Sequence, residues 1–277
     1  MTRLITEWIS RPDDDVKKID GKLKKVVGMD MTSLAFFAAG ADTIRKDEMK
    51  LRRVAVIRVT TGEGLIGCFA ETVAAVVRHM GASVFIPDAS DVAGVYEAVT
   101  QGAEILFMAD DDRFIALNVR TGKIAENDRA TAKGYVSALS LMAGGLSGKD
   151  VLLLGFGRVG EIALEYLLEQ GAKVSVFERD VSKTASLSRD RVKVLSSLPD
   201  LISGEVLDVT NEGGWLGVGD ISDDVKFSTP GIPLSLDGEA YLAYYDNVIH
   251  DPLQTGVAVM LAMALDTGGG SDGSHRP

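Results

Sequence analysis

Apolar residues along the first half of the chain recur with two periods, that of helices and that of strands. Val16, Ile19 and Leu23 stand at helical spacing between a proline with three following aspartates and Gly28, which predicts a helix over residues 12–28. Asp30 is placed to cap a second helix at 32–39. The pattern then predicts strands at 54–60, 83–86 and 104–109, helices at 66–80 and 90–100, and, beyond the segment 114–119, a helix at 131–143. Alternating strands and helices are typical of a parallel α/β layer.

The second half begins with a complete strand, helix, strand unit. An apolar run at 151–154 leads into Gly155-Phe156-Gly157-Arg158-Val159-Gly160, an amphipathic helix follows, and a second apolar run at 174–177 ends at Glu178. The pattern further predicts a short helix capped by Asp180, strands at 192–195, 206–209, 225–228 and 244–249, and an apolar last helix at 254–265. The fold class is therefore α/β, with a C-terminal Rossmann domain preceded by a smaller α/β substrate domain that carries N-terminal helices.

Each glycine of this fingerprint has a physical task. Gly155 permits the tight turn out of the strand, Gly157 lets backbone amides approach a pyrophosphate, and Gly160 lets the helix pack against the strand. The pyrophosphate would lie at the positive end of the helix. A carboxylate at Glu178 can accept hydrogen bonds from ribose hydroxyls and repels a 2′-phosphate, which favours NAD. Arg179 beside it can also bind a phosphate and leaves NADP open.

We expect the cofactor to bind the fingerprint, the tip of the second strand and the ends of later strands. The predicted cofactor-binding residues are Gly155, Phe156, Gly157, Arg158, Val159, Gly160, Glu178, Thr210, Thr229, Pro230 and Gly231. The alternative for the segment 228–233 is a connection stiffened by its prolines.

A length of 277 residues corresponds to about two domains. We expect N-terminal helices and the substrate domain at 1–145, the Rossmann domain at 146–250, a helix that packs back on the first domain at 251–267, and a flexible tail at 268–277. One cysteine, Cys68, excludes an internal disulfide framework. The first residues lack the apolar core of a signal peptide and no apolar run approaches a membrane span, so we expect a cytoplasmic protein.

The charge balance narrows the choice of partners. With 29 basic and 40 acidic residues the net charge is −11, and no basic run is present, so nucleic-acid binding is disfavoured. An acidic surface suits a cationic small molecule, although solubility alone explains it as well. A homodimer is possible, and the apolar helix at 132–143 could provide its surface.

Ligands of parallel sheets bind outside the carboxyl ends of the strands. Thr60 and Thr61, Asp110 and Asp251 follow such ends. The triplet at 110–112 could hold a substrate amine, could bind Mg²⁺ or could form a solvated turn, and no metal site is predicted from it. Without a clear histidine base or a Ser/His/Asp set, amine oxidation is favoured over alcohol oxidation, because a deprotonated amine expels hydride unaided.

Several segments together resemble the pyrrolysine synthase family of NAD-dependent dehydrogenases. The resemblance is carried by residues 59–67, 87–88, 102–105, 108–114, 122–125, 155–160 and 228–233, of which M-A-D-D-D and S-T-P-G-I-P are the most specific. It implies that the terminal amine of 3-methyl-D-ornithyl-N6-L-lysine is oxidised by NAD, with ammonia loss and ring closure. Substrate contacts carry over to Asp110, Asn127, Thr61 and Asp251, where the family usually has serine and glutamate at the last two.

The sequence allows two other functions. A dehydrogenase resembling methylene-tetrahydrofolate dehydrogenase would bind an anionic folate and would need a pocket rich in Lys or Arg. A sensor that binds NAD without turnover would need the glycine fingerprint but not the acids at the strand ends. On our main hypothesis Asp110 and Thr61 are catalytic, whereas Thr60, Asn127 and Asp251 bind the substrate.

Overall fold

A computed structural model describes residue 9 and residues 11–44, 46–188 and 190–265 of the chain. Its first half forms α1 (Pro12–Val26), α2 (Met31–Ala39), α3 (Lys46–Met49), β1 (Arg53–Ile57), α4 (Phe69–His79), β2 (Ser83–Phe85), α5 (Asp91–Thr100), β3 (Ile105–Ala109), β4 (Phe114–Asn118), β5 (Ile124–Glu126) and α6 (Asn127–Ala143). The second half forms β6 (Asp150–Leu154), α7 (Arg158–Glu169), β7 (Lys173–Phe177), β8 (Val192–Leu195), β9 (Glu205–Asp208), β10 (Lys226–Thr229), α8 (Gly238–Ala243), β11 (Val248–His250) and α9 (Gln254–Leu265). The α/β class expected from the sequence is confirmed. The predicted tail at 268–277 lies outside the described residues.

The first sheet has the order β2-β1-β3-β4-β5. Strands β1, β2 and β3 are parallel, as the alternation of strands and helices predicted, whereas β4 and β5 are antiparallel to their neighbours. The reversal follows from a tight turn in which Asp110 N donates to Arg113 O at 2.9 Å, because so short a connection cannot make a parallel crossover. Strand β5 was not predicted, and α6 begins at Asn127 rather than at 131.

The second sheet contains six parallel strands in the order β11-β10-β9-β6-β7-β8, the doubly wound arrangement of Rossmann folds. The short helix predicted after Asp180 is wrong, because residues 181–186 form consecutive turns that begin with the bond from Lys183 N to Asp180 O. The predicted strand at 244–249 is also shifted. Tyr245–Asn247 forms a single 3₁₀ turn, and the strand itself is Val248–His250.

Helix α9 returns from the second sheet and packs against α2, α4 and α6. Gly134 of α6 and Gly256 of α9 permit the close approach. A Cβ at Gly134 would lie 3.0 Å from Thr255 Cγ2, and one at Gly256 would lie 2.8 Å from Thr131 Oγ1. Within the suggested dimer surface at 132–143, residue 132 and residues 134–139 are buried beneath α7, α9 and β10 and cannot take part, whereas residues 140–143 are half-buried and their role stays a prediction. The homodimer itself and the domain boundaries stay predictions.

None of the described helices combines the length and the apolar character needed to span a bilayer. The longest of them, α6, carries charged residues near its start and packs inside the protein.

We expect Gly134→Val to lower the free energy of unfolding by about 2 kcal/mol, because the added methyl groups overpack the contact with Thr255 and Val259. Gly21→Val is the matched control. Gly21 lies in the exposed face of α1 with no atom within 4 Å of a built Cβ, so the same change there should not destabilise the protein. Urea unfolding of both variants measures the difference, and equal stabilities would contradict the packing argument.

Helix α1 is joined to the second half of the chain by a lysine among aromatic rings. Lys22 Nζ donates to Tyr241 Oη at 3.1 Å and lies 3.8 Å from the centroid of the Tyr245 ring. Burial lowers the pKa of Lys22 from its usual 10.5 to about 8.

This pKa shift predicts a pH dependence of stability. The unfolded chain keeps the proton on Lys22 up to about pH 10.5, whereas the folded protein releases it near pH 8, so folding gains stability as the pH rises between these values. The free energy of unfolding of the wild type, minus that of Lys22→Met, should therefore increase across this window. Lys17→Met, an exposed change on the same helix, is the control. The difference in the free energy of unfolding between the wild type and this variant should be the same at pH 7.5 and at pH 10, because both proteins keep Lys22. Denaturation at these two pH values measures both differences.

Candidate active site

A cavity of about 1110 Å³ opens where the carboxyl ends of both sheets face each other. Its walls come from segments that follow β1 and β3 of the first sheet and β6, β7, β9, β10 and β11 of the second. Such a crevice at strand ends is the usual ligand position in open α/β sheets. The fold therefore brings the predicted dinucleotide and substrate residues to a common space.

The glycine fingerprint forms the turn from β6 into α7. Gly155 has a φ of +88°, and a Cβ there would lie 3.2 Å from the backbone nitrogen of Thr210. A Cβ on Gly160 would lie 2.6 Å from the carbonyl oxygen of Gly155, so this glycine lets the helix touch the turn. In contrast, a Cβ on Gly157 would meet no atom within 4 Å, and Gly157 lines the cavity. The loop thus leaves open space beside the first amides of α7.

Glu178 at the tip of β7 is bound to the same loop. Its carboxylate accepts hydrogen bonds from Phe156 N at 2.7 Å and from Asp180 N at 2.9 Å, and Lys183 Nζ lies 3.8 Å away. The neighbouring Arg179 forms an ion pair with Glu212 and lies over the ring of Trp215. Arg179 and Lys183, the cations that the structure describes at this tip, therefore each lie beside a carboxylate.

A buried carboxylate that the sequence reasoning missed supports the second wall. Asp208, at the end of β9, accepts hydrogen bonds from Thr210 N, Thr210 Oγ1, Thr229 Oγ1 and Ser235 Oγ at 2.6 to 3.3 Å. Burial raises the pKa of Asp208, while these hydrogen bonds act in the opposite direction. Its position as an acid at the end of an apolar strand was the feature of the sequence that could have identified Asp208.

Ten of the eleven predicted cofactor residues line the cavity. Thr229 is the exception, since its side chain is fully buried and its Oγ1 accepts the hydrogen bond of Gly231 N at 2.9 Å. Thr229 thus shapes the turn that presents Pro230 and Gly231. The sequence of the segment 228–233 allowed either cofactor binding or a structural connection. Its first two residues are buried and structural, and its next three residues line the cavity.

On the opposite wall, Asp110 presents its carboxylate from the turn after β3. Its Oδ1 accepts hydrogen bonds from Asp112 N at 2.9 Å and Arg113 N at 2.7 Å, and these backbone groups lower the pKa of Asp110. Its Oδ2 accepts no hydrogen bond from the described residues. Asp110 is therefore an anion with one oxygen available to a ligand, and its lowered pKa makes it a weak base.

Asp111 fixes the loop that carries Thr61. Its Oδ2 accepts a hydrogen bond from Glu63 N at 2.8 Å, and a Cβ on Gly62 would lie only 1.8 Å from this oxygen. Thr61 lines the cavity next to this contact. The aspartate triplet is therefore partly a turn that organises backbone, as one of its three interpretations had it.

Thr60 is not brought into the cavity. Its backbone nitrogen and its Oγ1 donate to the carboxylate of Asp91 at 2.8 and 2.6 Å. These bonds tie the end of β1 to the start of α5. The structure gives Thr60 a place in the scaffold, away from the other predicted substrate residues.

Asn127, the first residue of α6, and Asp251, which lies three residues before the start of α9, line the cavity. Asp251 is only 2 % exposed, and its carboxylate accepts bonds from Thr255 Oγ1 at 2.6 Å, Thr255 N at 3.0 Å and Leu253 N at 3.2 Å. It therefore satisfies the free amides at the start of α9 as well as bordering the cavity.

Two arginines connect the walls or add positive charge. Arg158 Nε lies 3.1 Å from Asp128 Oδ2, and its Nη2 donates to Asp112 O at 3.4 Å, so the fingerprint touches the turn that carries Asp110.

Arg58, which sequence reasoning did not select, donates from Nη2 to Pro87 O at 2.7 Å. Its buried Nε has no hydrogen-bond partner among the described residues, and the residue lines the cavity.

The charged residues of the described cavity wall are mainly acidic. Nine acids face four bases: Glu63, Glu71, Asp110, Asp111, Asp128, Glu178, Asp180, Glu212 and Asp251 against Arg58, Arg158, Arg179 and Lys183. Within the part of the chain that the structure describes, no group of three or more His, Cys, Asp or Glu side chains could hold a metal ion.

The strand order, the glycine loop and the cavity define a Rossmann-type protein with an attached α/β unit. The family model described as "Pyrrolysine biosynthesis protein PylD, N-terminal domain" matches residues 9–125. The chain is 31 % identical over 262 residues to "Pyrrolysine synthase" of Methanosarcina barkeri (strain Fusaro / DSM 804), covering 92 % of this chain and 97 % of that protein. It is 30 % identical over 270 residues to "Pyrrolysine synthase" of Methanosarcina acetivorans, covering 96 % and 100 %. The chain belongs to the pyrrolysine synthase family of enzymes, which confirms the resemblance seen in its motifs.

The solved structures that resemble this chain share less sequence identity with it than the two relatives do. An Ael1 enzyme from Pseudomonas putida has 15 % identity and a TM-score of 0.47, covering 76 % of this chain and 90 % of that one. Shikimate dehydrogenase from Aquifex aeolicus has 15 % identity and a TM-score of 0.44, covering 77 % and 89 %. At these scores the similarity contributes nothing to the functional argument.

Proposed function

We propose that the protein is an NAD-dependent dehydrogenase that oxidises the terminal amine of 3-methyl-D-ornithyl-N6-L-lysine, after which ammonia is lost and the ring of pyrrolysine closes. The observation that carries the proposal is the excess of carboxylates in a cavity that a glycine fingerprint also lines. Carboxylates favour a substrate that bears ammonium groups. Membership of the pyrrolysine synthase family supports this substrate.

The residues present fit a dinucleotide. Gly157 leaves open space at the N-terminus of α7, where backbone amides and the helix dipole favour a pyrophosphate. Glu178 provides a carboxylate at the tip of β7 for ribose hydroxyls. When bound, the nicotinamide accepts the hydride. Pro230 and Gly231 border the cavity in a turn that Thr229 and Asp208 hold in place.

The substrate wall offers distinct polar groups. We assign Asp110 to the reacting amine because its Oδ2 is available and its lowered pKa keeps it ionised, so that it orients the amine mainly as an anion. Thr61 and Asn127 can position the polar backbone of the substrate, and Asp251 can attract a second ammonium group. Arg58 adds a positive charge to the cavity wall, which can attract a carboxylate of an amino-acid substrate. The proton of the reacting amine would then leave to solvent or to a neighbouring acid.

The two alternatives are less well supported. A folate is anionic, and the excess of acids over bases in the cavity would repel it. A sensor without turnover would not need carboxylates on the wall that faces the fingerprint, yet Asp110 stands there.

We expect Gly157→Ala to weaken NAD binding at least about tenfold, because a methyl group would occupy the space that the pyrophosphate needs. Its free energy of unfolding should be unchanged, since the built Cβ meets no atom within 4 Å. Gly160→Ala should instead lower the free energy of unfolding, because its Cβ meets a backbone oxygen at 2.6 Å. Calorimetric titration with NAD and urea unfolding separate the effects, and unaltered NAD affinity in Gly157→Ala would exclude this binding position.

Asp110→Asn should lower kcat/KM by about thirtyfold, because the Oδ2 carboxylate oxygen is replaced by an amide group that cannot anchor an ammonium. The retained Oδ1 keeps the turn intact. Asp112→Asn is the matched control, since its side chain does not line the cavity. NADH absorbance measures the rate, and mass spectrometry of the product identifies the loss of ammonia and water.

Two results would count against the proposal. Wild-type kcat/KM in Asp110→Asn would remove the role of Asp110, and a product formed from the synthetic substrate without release of ammonia would refute the reaction itself.

A further inference from the structure

Two described cations at the tip of β7, Arg179 and Lys183, are of the kind that binds a phosphate, but each of them is paired with an acid. Arg179 is paired with Glu212, which lies 33 residues further along the chain in the loop after β9. Lys183 Nζ lies 3.8 Å from Glu178. All four residues line the cavity at the end where the proposed ribose contacts lie. A dinucleotide with a 2′-phosphate would therefore meet two cations that are already neutralised.

We propose that Glu212 is a specificity-determining residue, which excludes the 2′-phosphorylated dinucleotide by occupying the guanidinium of Arg179. The inference rests on the proposed function, because it concerns the same cofactor site. Glu178 repels a 2′-phosphate directly, whereas Glu212 acts by occupying Arg179, which could otherwise compensate the repulsion. The preference for NAD thus depends on two acids, of which the sequence motif includes only one.

The guanidinium geometry makes this competition effective. A phosphate and a carboxylate bind the planar guanidinium through the same hydrogen-bond donors, so Arg179 cannot serve both fully. The Cζ atom of Arg179 also lies 5.4 Å from the centroid of the Trp215 ring. This cation–π contact can hold the guanidinium at the rim of the cavity when Glu212 is removed. Loss of the glutamate charge would then leave a phosphate site with its arginine already in place.

The ion pair contributes little to stability. The side chains of Arg179 and Glu212 are 56 % and 57 % exposed, and exposed pairs are weak because water screens them. Glu212→Gln should therefore fold normally, which makes it suitable for a binding test. NAD has a hydroxyl where NADP has a phosphate, so removal of this charge should affect the two dinucleotides differently.

The test is a calorimetric titration of NAD and NADP into the purified full chain. Glu212→Gln should bind NADP about tenfold more tightly than the wild type does, through a new charge-assisted bond to Arg179, while its NAD affinity stays within about twofold. The gain should shrink as salt is raised, because the new contact is ionic. Arg179→Gln/Glu212→Gln should lose the gain. Glu169→Gln, which removes the same charge from the exposed end of α7 outside the cavity, should match the wild type.

The outcomes separate the two proposals. If the wild type binds NAD and Glu212→Gln does not improve NADP binding, the role of Glu212 is wrong and the dehydrogenase proposal stands. The same holds if the double variant keeps the gain, since the phosphate would then be held by another group such as Lys183. If the wild type binds neither dinucleotide, the proposed function itself fails.

Discussion

The close packing of α6 on α9 is the contact on which the arrangement of the cavity depends. Gly134 and Gly256 let the two helices approach until Thr255 and Thr131 fill the space that side chains would otherwise take. Because α6 follows the first sheet and α9 follows the second, their contact joins the two halves of the chain. Asn127 begins α6 and Asp251 lies just before α9, and both residues line the cavity. The close contact between α6 and α9 thus determines where Asn127 and Asp251 lie at the cavity.

The organisation of the two sheets was largely predictable from the sequence. The periodicity of apolar residues located α1, α9 and most strands within a few residues, and the spacing of glycines identified the β6–α7 turn. The predictions failed where short hydrogen-bonded turns replace regular elements. The turns at 181–186, where a helix was predicted, depend on local backbone bonds, which leave little trace in an apolar pattern. Strand β5 is only three residues long and has no period to detect.

The polar partners within the site were harder to predict. The sequence marks Asp110 and Thr60 equally as residues at strand ends, yet Asp91 binds the hydroxyl and amide of Thr60 and only Asp110 lines the cavity. Asp208 was missed because its donors come from Thr210, Thr229 and Ser235, which converge only in the folded protein. A residue type and its position at a strand end indicate which chemistry is possible. The distribution of donors around it decides whether its oxygen atoms are available.

If the proposed function is correct, the excess of acids in the cavity affects the binding of both the substrate and the dinucleotide. The acids near Asp110 attract an ammonium group, and the acids near Arg179 neutralise the cations that would attract a second phosphate. Arg158 lies between these regions, with one contact to Asp128 and one to the carbonyl of Asp112. Arg158 is also the first residue of α7. A pyrophosphate bound at the start of that helix would therefore compete with the acids of the substrate wall for the positive charge of Arg158. Binding of the dinucleotide would then leave the carboxylates of that wall less compensated, and hence more attractive to a cationic substrate.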